Sequence, residues 1–198
     1  MITKRIFDFL GSFAGLLLLS PVLLLISLVI LVDSPGPVFF RQQRVGRYGN
    51  LFRIHKFRTM RVDAERAGMQ ITVGDDPRIT RSGRWLRRYK LDELPQLIDV
   101  LVGDMSLVGP RPEVPGYVDM YPSASRELVL SVRPGITDPA SIQFRAESEI
   151  LSKAKDPERE YVESILPVKI ELYEQYVRTR TFLGDIFIIF KTFKVIAS

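Results

Sequence analysis

Residues 9–32 read FLGSFAGLLLLSPVLLLISLVILV, a run of 24 residues that contains no charged side chain. About 20 apolar helical residues are enough to cross the hydrocarbon core of a bilayer. A cleavable signal peptide fits less well, because the run is long and no small-residue cleavage site precedes DSPGPVFF. Since a buried core helix is rarely apolar on every side, the run predicts association with a membrane.

The path of this run through the membrane has two readings. Ser20 and Pro21 lie at its midpoint, and a proline removes a backbone hydrogen bond and kinks a helix. Basic residues flank both ends of the run, and they would hold both ends on the cytoplasmic side. The flanking residues are Lys4, Arg5, Arg41, Arg44 and Arg47. A re-entrant helix broken at Ser20-Pro21 satisfies both constraints, and a kinked spanning helix is equally compatible with the residues alone.

The composition of the 198 residues narrows the chemistry. The chain has no cysteine, which excludes disulfides, zinc-thiolate sites and thiol catalysis. Its one histidine, His55, is predicted to be packed for structure rather than used in a metal site or a Ser-His triad. Residues 34–94 hold 14 Lys and Arg against 6 Asp and Glu, a net charge of +8, so this part predicts an anionic partner.

The remaining chain, residues 34–198, reads as one globular domain. PVFFRQQRV and LFRIHKFRTM flank the turn-like GRYGN, which predicts a short β-hairpin. The stretch 61–83 has little periodicity and is predicted to be mostly loop, with Ser82 as a helix cap. Three patterns indicate that the domain is mainly helical. Apolar residues recur at helical spacing from Leu94 to Leu101 before Gly103, residues 123–131 are predicted to form a helix, and Asp156-Pro157 is a typical start of another.

The fold class predicted from these patterns is α/β, mainly helical with a short β-hairpin. The stretch GDMSLVGPRPEVPG is predicted to be a loop stiffened by proline. The C-terminal stretch FLGDIFIIFKTFKVIAS suits either the core or an amphipathic helix lying in the headgroup layer. The predicted division is therefore a membrane helix over residues 1–33 and a globular domain over residues 34–198.

The adjacent acids Asp92 and Glu93 in KLDELPQL also allow two readings. Acids in a first turn complement a helix dipole and Pro95 is tolerated there, so the pair can simply begin a helix. As a reactive centre, Asp92 could attack phosphorus to give an acyl phosphate. Glu93 could then hold Mg²⁺ through oxygen. Nearby guanidinium groups would offset the repulsion between a carboxylate and a phosphate; these belong to Arg84, Arg87 and Arg88.

Arg111 lies between Pro110 and Pro112 in GPRP. The two prolines restrict the backbone on both sides of this arginine, and a guanidinium held in one place can bind a phosphate through two hydrogen bonds. An incidental surface turn explains the motif as well. A non-catalytic basic module, anchored to the membrane and binding nucleic acid or anionic lipid, would account for the +8 segment but gives no reason for the acids inside it.

Taken together, these segments resemble the monotopic phosphoglycosyl transferases of the bacterial sugar transferase family. The matching segments occur in the family's order over residues 1–137. They are KRIFDFLGS, the Ser-Pro pair, PGPVFFRQQRVG, FRIHKFRTM, LDELPQLIDVLVGDMSLVGPRP and RPGIT. The block 91–112 is highly specific for that family. The chain lacks the N-terminal helices of the larger members and so resembles the minimal form.

The resemblance implies an enzyme that transfers a phospho-sugar from a UDP-sugar to polyprenyl phosphate. This is the first membrane step of bacterial glycan assembly, as in exopolysaccharide synthesis, at the cytoplasmic face of the inner membrane. Asp92 matches the nucleophile that takes the phospho-sugar while UMP leaves, and Glu93 matches its partner, which is associated with Mg²⁺. Lys56 and Arg87 match basic active-site residues, and Pro110, Arg111 and Pro112 match a phosphate-binding loop. The family's apolar helix is re-entrant and broken at the pair corresponding to Ser20-Pro21.

The resemblance weakens after Thr137. Many members continue with GITG and then a glutamine, whereas this chain has Asp138 and Pro139 in GITDPASIQFR. The sequence leaves open which sugar is transferred, which glycan pathway is served and what segment 138–145 does. It also leaves open the oligomeric state, for which a homodimer is one alternative. Nucleic acid is not expected as a partner. Direct attack of the acceptor on the donor in a ternary complex is the alternative to a covalent intermediate.

Overall fold

The apolar run lies within a single helix, α1 (Ile2–Asp33), in a computed structural model that describes residues 2–62, 64, 72–74 and 76–197. Helical structure continues through Ser20 and Pro21, so the predicted break does not interrupt the helix. Pro21 has no N–H to donate to the carbonyl of Leu17, four residues earlier. The Ser20 hydroxyl donates to this carbonyl instead, at 2.8 Å, and the serine thus replaces the donor that the proline lacks.

The first turns of α1 are attached to the globular domain by polar side chains. Lys4 forms an ion pair with Asp185 and donates to the carbonyl of Val108 at 3.0 Å. Asp8 is buried and accepts hydrogen bonds from the Ser106 hydroxyl at 2.8 Å and the Leu107 N–H at 3.1 Å. A charged group buried in this way needs such partners, so the contacts fix the position of the helix start.

The last turns of α1 are attached to the same domain. The Arg58 guanidinium donates to the carbonyls of Ser34 and Pro35, at 2.6 and 2.5 Å. The carboxylate of Asp33 accepts from both the N–H and the hydroxyl of Ser82, at 2.9 and 2.8 Å. Between the two ends, α1 is mostly exposed, and among the described residues it is the one helix long and apolar enough to cross a membrane.

The predicted hairpin is present as β1 (Phe39–Val45) and β2 (Leu51–Phe57), which pair antiparallel. A tight turn at Arg47–Gly49 joins them, with Tyr48 at a φ of 60°. His55 has the structural role that the composition suggested: its backbone N–H and ring Nδ1 contact the two oxygens of the buried Asp99, at 2.8 and 2.6 Å. The next residue, Lys56, points toward the acid pair.

The predicted loop 61–83 lies partly outside the described residues, and it ends in the helix α2 (Arg81–Arg88). The helix is capped by Thr80, whose side chain accepts from the Gly83 N–H at 3.0 Å, so the predicted cap at Ser82 is wrong because that serine binds Asp33 instead. A 3-10 turn over Leu91–Glu93 follows, and then α3 (Gln96–Val102), which ends at Gly103 with a φ of 103°.

The loop that contains GPRP is more ordered than its sequence predicted. Residues Ser106–Val108 form β3, and residues Gly135–Thr137 form β4, which pairs parallel with β3. Gly135 needs to be a glycine, because an added Cβ would lie 2.0 Å from the backbone nitrogen of Gly109. Its N–H donates to the carbonyl of Pro110 at 2.9 Å, which attaches the GPRP loop to the strand pair.

Seven further helices lie in the described part of the C-terminal half, residues 104–197. They are α4 (Pro115–Val118), α5 (Ser123–Leu130), α6 (Pro139–Gln143), α7 (Glu147–Ser152), α8 (Pro157–Glu160), α9 (Leu166–Thr179) and α10 (Phe182–Ala197). A π-helical turn over Tyr161–Ile165 connects α8 to α9. Asp156 caps α8 as predicted. The domain is thus mainly helical with a short hairpin, as the sequence indicated, and its largest apolar core lies around Tyr161 and Tyr173.

Candidate active site

The two acids lie in the 3-10 turn between α2 and α3. Lys90 precedes them with a φ of 55°, a left-handed conformation that is unusual for a residue with a side chain, and its carbonyl accepts from the Glu93 N–H at 3.3 Å. The first α-helical residue is Gln96, so the reading in which Asp92 itself begins the helix is wrong. The turn instead places Asp92 and Glu93 in different surroundings.

Glu93 is held by two cations from distant parts of the chain. Lys56 on β2 donates to Oε1 at 2.9 Å, and the Arg111 guanidinium donates to both carboxylate oxygens. The Glu93 side chain is only 12% exposed. Burial by itself raises the pKa of this carboxyl, but the charges of Arg111 and Lys56 outweigh burial and hold the pKa well below its usual range. Glu93 is therefore ionised at neutral pH.

Asp92 is also buried, but in the described part of the chain its carboxylate lacks cationic hydrogen-bond partners like those of Glu93. Its residue is 8% exposed, and Oδ1 accepts no hydrogen bond from the described residues. Burial raises the pKa of Asp92, and the neighbouring negative charge of Glu93 raises it further, while Lys56 and Arg87 oppose both effects. A carboxylate that is poorly solvated and lacks hydrogen-bond partners is a stronger nucleophile than one at the surface.

The cavity beside this pair has about 950 Å³ of space and carries charge of both signs. One side is strongly basic, with Arg84, Arg87, Arg88 and Lys90. Arg87 is oriented by the hydroxyl of Thr72, to which it donates at 2.7 Å. Burial lowers the pKa of Lys56 to about 8, although the charge of Glu93 opposes this shift. The positive charges that line the cavity are suited to a ligand with phosphate groups.

The GPRP loop brings Arg111 to this cavity because its backbone is fixed on both sides. The carbonyl of Pro110 is bonded to β4, as described above, and the carbonyl of Pro112 accepts from Arg44 at 3.1 Å. Pro112 is buried. The structure therefore brings together Lys56, Arg87, Asp92, Glu93 and Arg111, which the sequence singled out. Pro110 and Pro112 support the loop, and Ser20 and Pro21 are exposed on α1.

Sequence reasoning did not identify the opposite wall of the cavity. Lys169 on α9 is 4% exposed, and its ammonium group lies 2.5 Å from Glu147 and 3.7 Å from Glu113. The Tyr161 hydroxyl lies 2.9 Å from Glu113 and accepts from Lys169 at 3.3 Å. Glu113 directly follows GPRP and could have been suspected, but no local pattern connects Lys169 to a residue 56 positions earlier.

The acid pair is also the part of the site that fits a divalent cation. Among the described residues there is no group of three or more His, Cys, Asp or Glu side chains that could hold a metal ion by themselves. Mg²⁺ commonly binds through one or two carboxylates together with substrate phosphates and water. Of the acid pair, Asp92 has an unpartnered Oδ1 that could serve as such a ligand, whereas Glu93 would have to share oxygens that already accept hydrogen bonds from Arg111 and Lys56.

The family model described as Bacterial sugar transferase matches residues 1–198. The UDP-N-acetylgalactosamine-undecaprenyl-phosphate N-acetylgalactosaminephosphotransferase of Aeromonas hydrophila is 37% identical over 98% of this chain and 43% of its own length. The UDP-glucose:undecaprenyl-phosphate glucose-1-phosphate transferase of Escherichia coli (strain K12) is 38% identical over 96% of this chain and 39% of its own length. The exopolysaccharide production protein PSS of Rhizobium leguminosarum bv. phaseoli is 42% identical over 78% of this chain and 81% of its own length. The chain thus spans less than half the length of the first two relatives.

Proposed function

Because the chain belongs to the bacterial sugar transferase family, we propose that it transfers a sugar-1-phosphate from a UDP-sugar to polyprenyl phosphate through a covalent intermediate on Asp92. The observation that carries this proposal is Asp92, which lines a cavity together with several cations and whose buried Oδ1 has no hydrogen-bond partner among the described residues. The names of the Aeromonas hydrophila and Escherichia coli relatives specify both a UDP-sugar and undecaprenyl phosphate. The sugars in those two names differ, so the proposed donor is a UDP-sugar with no particular sugar assigned.

In the first step, a carboxylate oxygen of Asp92 attacks the phosphorus that carries the sugar. The bond from this phosphorus to the oxygen that bridges the two donor phosphates breaks, and UMP leaves with the electron pair. Asp92 needs no general base, because the attacking form is the carboxylate itself. Lys56, Arg87 and Arg111 lie around the cavity and would stabilise the charge that develops on the phosphate oxygens.

In the second step, a phosphate oxygen of the lipid attacks the same phosphorus. The bond between phosphorus and Asp92 breaks, which regenerates the carboxylate and releases the diphosphate-linked sugar. Glu93 stays ionised throughout, since Lys56 and Arg111 keep the pKa of its carboxyl low. Glu93 and Asp92 would hold Mg²⁺, which would neutralise part of the donor's phosphate charge. Glu113 and Lys169 also line this cavity, and in this proposal they would contact the sugar.

The assay for this function measures UMP release from a panel of UDP-sugars with Mg²⁺, with and without undecaprenyl phosphate. A covalent mechanism predicts a burst of UMP from the donor alone, equal to the amount of enzyme, and a phospho-sugar adduct on the peptide that contains Asp92. Direct attack in a ternary complex would give UMP only when the acceptor is present. If no UDP-sugar gave UMP or lipid-linked product, the proposed function would be wrong.

We also propose that α1 enters and leaves the membrane through one face, on the cytoplasmic side of the inner membrane. Both ends of α1 contact the same globular domain, through Asp8 at one end and Asp33 at the other. In a spanning arrangement, the bilayer would separate one of these ends from the domain. The proline and the Ser20–Leu17 hydrogen bond provide a place at which the helix can bend.

Single cysteines can test this topology, because the chain has no cysteine of its own. Thr3→Cys and Pro37→Cys place labels at the two ends of α1, and Asn50→Cys places a third on the exposed hairpin turn as a reporter for the domain. A membrane-impermeant maleimide should label none of them in intact spheroplasts and all three after lysis. Labelling of one end of α1 in intact spheroplasts would indicate a spanning helix.

A further inference from the structure

A second cavity, of about 500 Å³, lies next to the catalytic cavity and differs from it in character. Its walls are mainly apolar and come from α1, from the start of α3, from the β3–β4 pair and from α10. The apolar lining includes Phe7, Leu19, Leu97, Leu107, Ile136 and Ile189. This volume lies within the range of about 300–1,000 Å³ that is typical of ligand sites.

The two cavities meet at Glu93, the residue next to Asp92. Glu93, Arg111 and Lys90 line both of them, as do Arg145, Glu147 and Lys169. The apolar cavity is therefore polar and mostly basic at this end, and apolar elsewhere. A ligand that fills it would have a long hydrocarbon part and one anionic end, and the anionic end would lie beside the proposed nucleophile.

The opposite side of the cavity is formed by the two helices with the most exposed apolar surface. α1 is exposed over most of its apolar length. On α10, Phe187 and Phe190 are at least 67% exposed, Ile189 and Thr192 line the cavity, and Phe193, at the cavity edge, does both. Exposed apolar surface of this kind is expected where a protein contacts a bilayer. A hydrocarbon chain could thus pass from the membrane into the cavity between these helices.

We propose that the apolar cavity between α1 and α10 binds the first isoprene units of the acceptor lipid and so presents its phosphate to Asp92. The inference rests on the proposed function, because that function supplies the lipid phosphate. The occupant of the apolar cavity is the prenyl chain. A phospholipid acyl chain that fills the cavity is an outcome that would contradict the inference.

The test is the variant Ile189→Trp, which places a larger side chain in the cavity, with Phe190→Trp as its control on the exposed face of the same helix. With undecaprenyl phosphate, Ile189→Trp should raise KM for the acceptor by about tenfold or more, the factor expected when a few methylene groups lose their burial. UMP release from the donor alone should keep its wild-type rate in both variants. Phe190→Trp should leave KM for the acceptor unchanged.

Direct binding separates failure of this inference from failure of the proposed function. Undecaprenyl phosphate is added to the protein in detergent and bound lipid is counted by native mass spectrometry, with phosphatidylglycerol as competitor. The wild type and Phe190→Trp should bind the prenyl lipid, and Ile189→Trp should bind it at least about tenfold more weakly. Equal binding by both variants, or complete displacement by phosphatidylglycerol, would overturn the inference even if UMP release succeeds. Weaker binding by Ile189→Trp alone would support it even if no donor is turned over.

Discussion

Arg111 donates hydrogen bonds to both carboxylate oxygens of Glu93, which lies 18 residues earlier in the chain. Lys56 adds a third hydrogen bond to the same carboxylate. The adjacent acid, Asp92, has a buried oxygen with no hydrogen-bond partner among the described residues. Two neighbouring carboxylates with the same intrinsic chemistry are therefore held in different states: the pKa of Glu93 is lowered and the pKa of Asp92 is raised.

Asp92→Asn should abolish transfer, because an amide cannot form the acyl phosphate. UMP release from the donor alone should fall by a factor on the order of 10⁴ or more, as happens when other enzymes lose a nucleophile. The phospho-sugar adduct should disappear from the mass spectrum of the peptide. Asp104→Asn, at an exposed aspartate just after α3, is the matched control and should keep wild-type activity. Turnover by Asp92→Asn at the wild-type rate would exclude this residue as the nucleophile.

Arg111→Lys tests whether the two hydrogen bonds to Glu93 matter beyond the positive charge. A lysine keeps the charge but cannot bind both carboxylate oxygens in the planar geometry of a guanidinium. We expect the rate of the donor half-reaction to fall by roughly 10²-fold, which is typical for loss of one group that stabilises a transition state. The control is Arg126→Lys, because Arg126 forms an exposed ion pair with Asp119, away from the cavity residues. Equal rates for the two variants would mean that charge alone is sufficient at residue 111.

Parts of this site could be predicted because their signals are local. The two segments around GRYGN predicted the hairpin that carries Lys56, the family resemblance singled out Lys56 itself, and the two prolines around Arg111 indicated a fixed arginine. The pairing of β3 with β4 could not be predicted, since each strand has three residues and their contact depends on the path of the chain between them. The same applies to Thr80, which caps α2 in place of Ser82 because the end of α1 binds that serine.

Asp138 has a structural role in the segment after Thr137, where the sequence was expected to depart from the family pattern. The buried carboxylate caps α6 by accepting from the N–H groups of Ala140 and Ser141, at 2.7 and 3.1 Å. Asparagine is an equally good cap, whereas alanine is not. Asp138→Ala should therefore destabilise the protein by about 1 kcal/mol. Asp138→Asn should keep the cap and remove a buried charge.

The pH dependence distinguishes the two effects. Burial raises the pKa of Asp138 above the unfolded value of 3.8. The folded protein therefore retains this proton after the unfolded chain has lost it, and the wild type loses stability as pH rises from 3.8 to the raised pKa. Asp138→Asn has no carboxyl group at this position and does not lose stability in this way. The difference between its thermal unfolding temperature and that of the wild type should therefore increase from about pH 4 to about pH 7. A difference that does not vary with pH would contradict the assignment.

Lys169→Met tests the wall of the cavity opposite the basic residues. The lysine is 4% exposed, and its ammonium group lies 2.5 Å from Glu147 and 3.7 Å from Glu113. Removing one partner from a buried ion pair leaves the other charge without compensation, which costs about 3–5 kcal/mol. We therefore expect a clearly lower thermal unfolding temperature, whereas Lys153→Met, at an exposed lysine, should leave it unchanged. Glu147→Gln combined with Lys169→Met should recover part of the loss, because the uncompensated carboxylate is removed as well. An additive loss in the double variant would show that the two side chains do not stabilise each other.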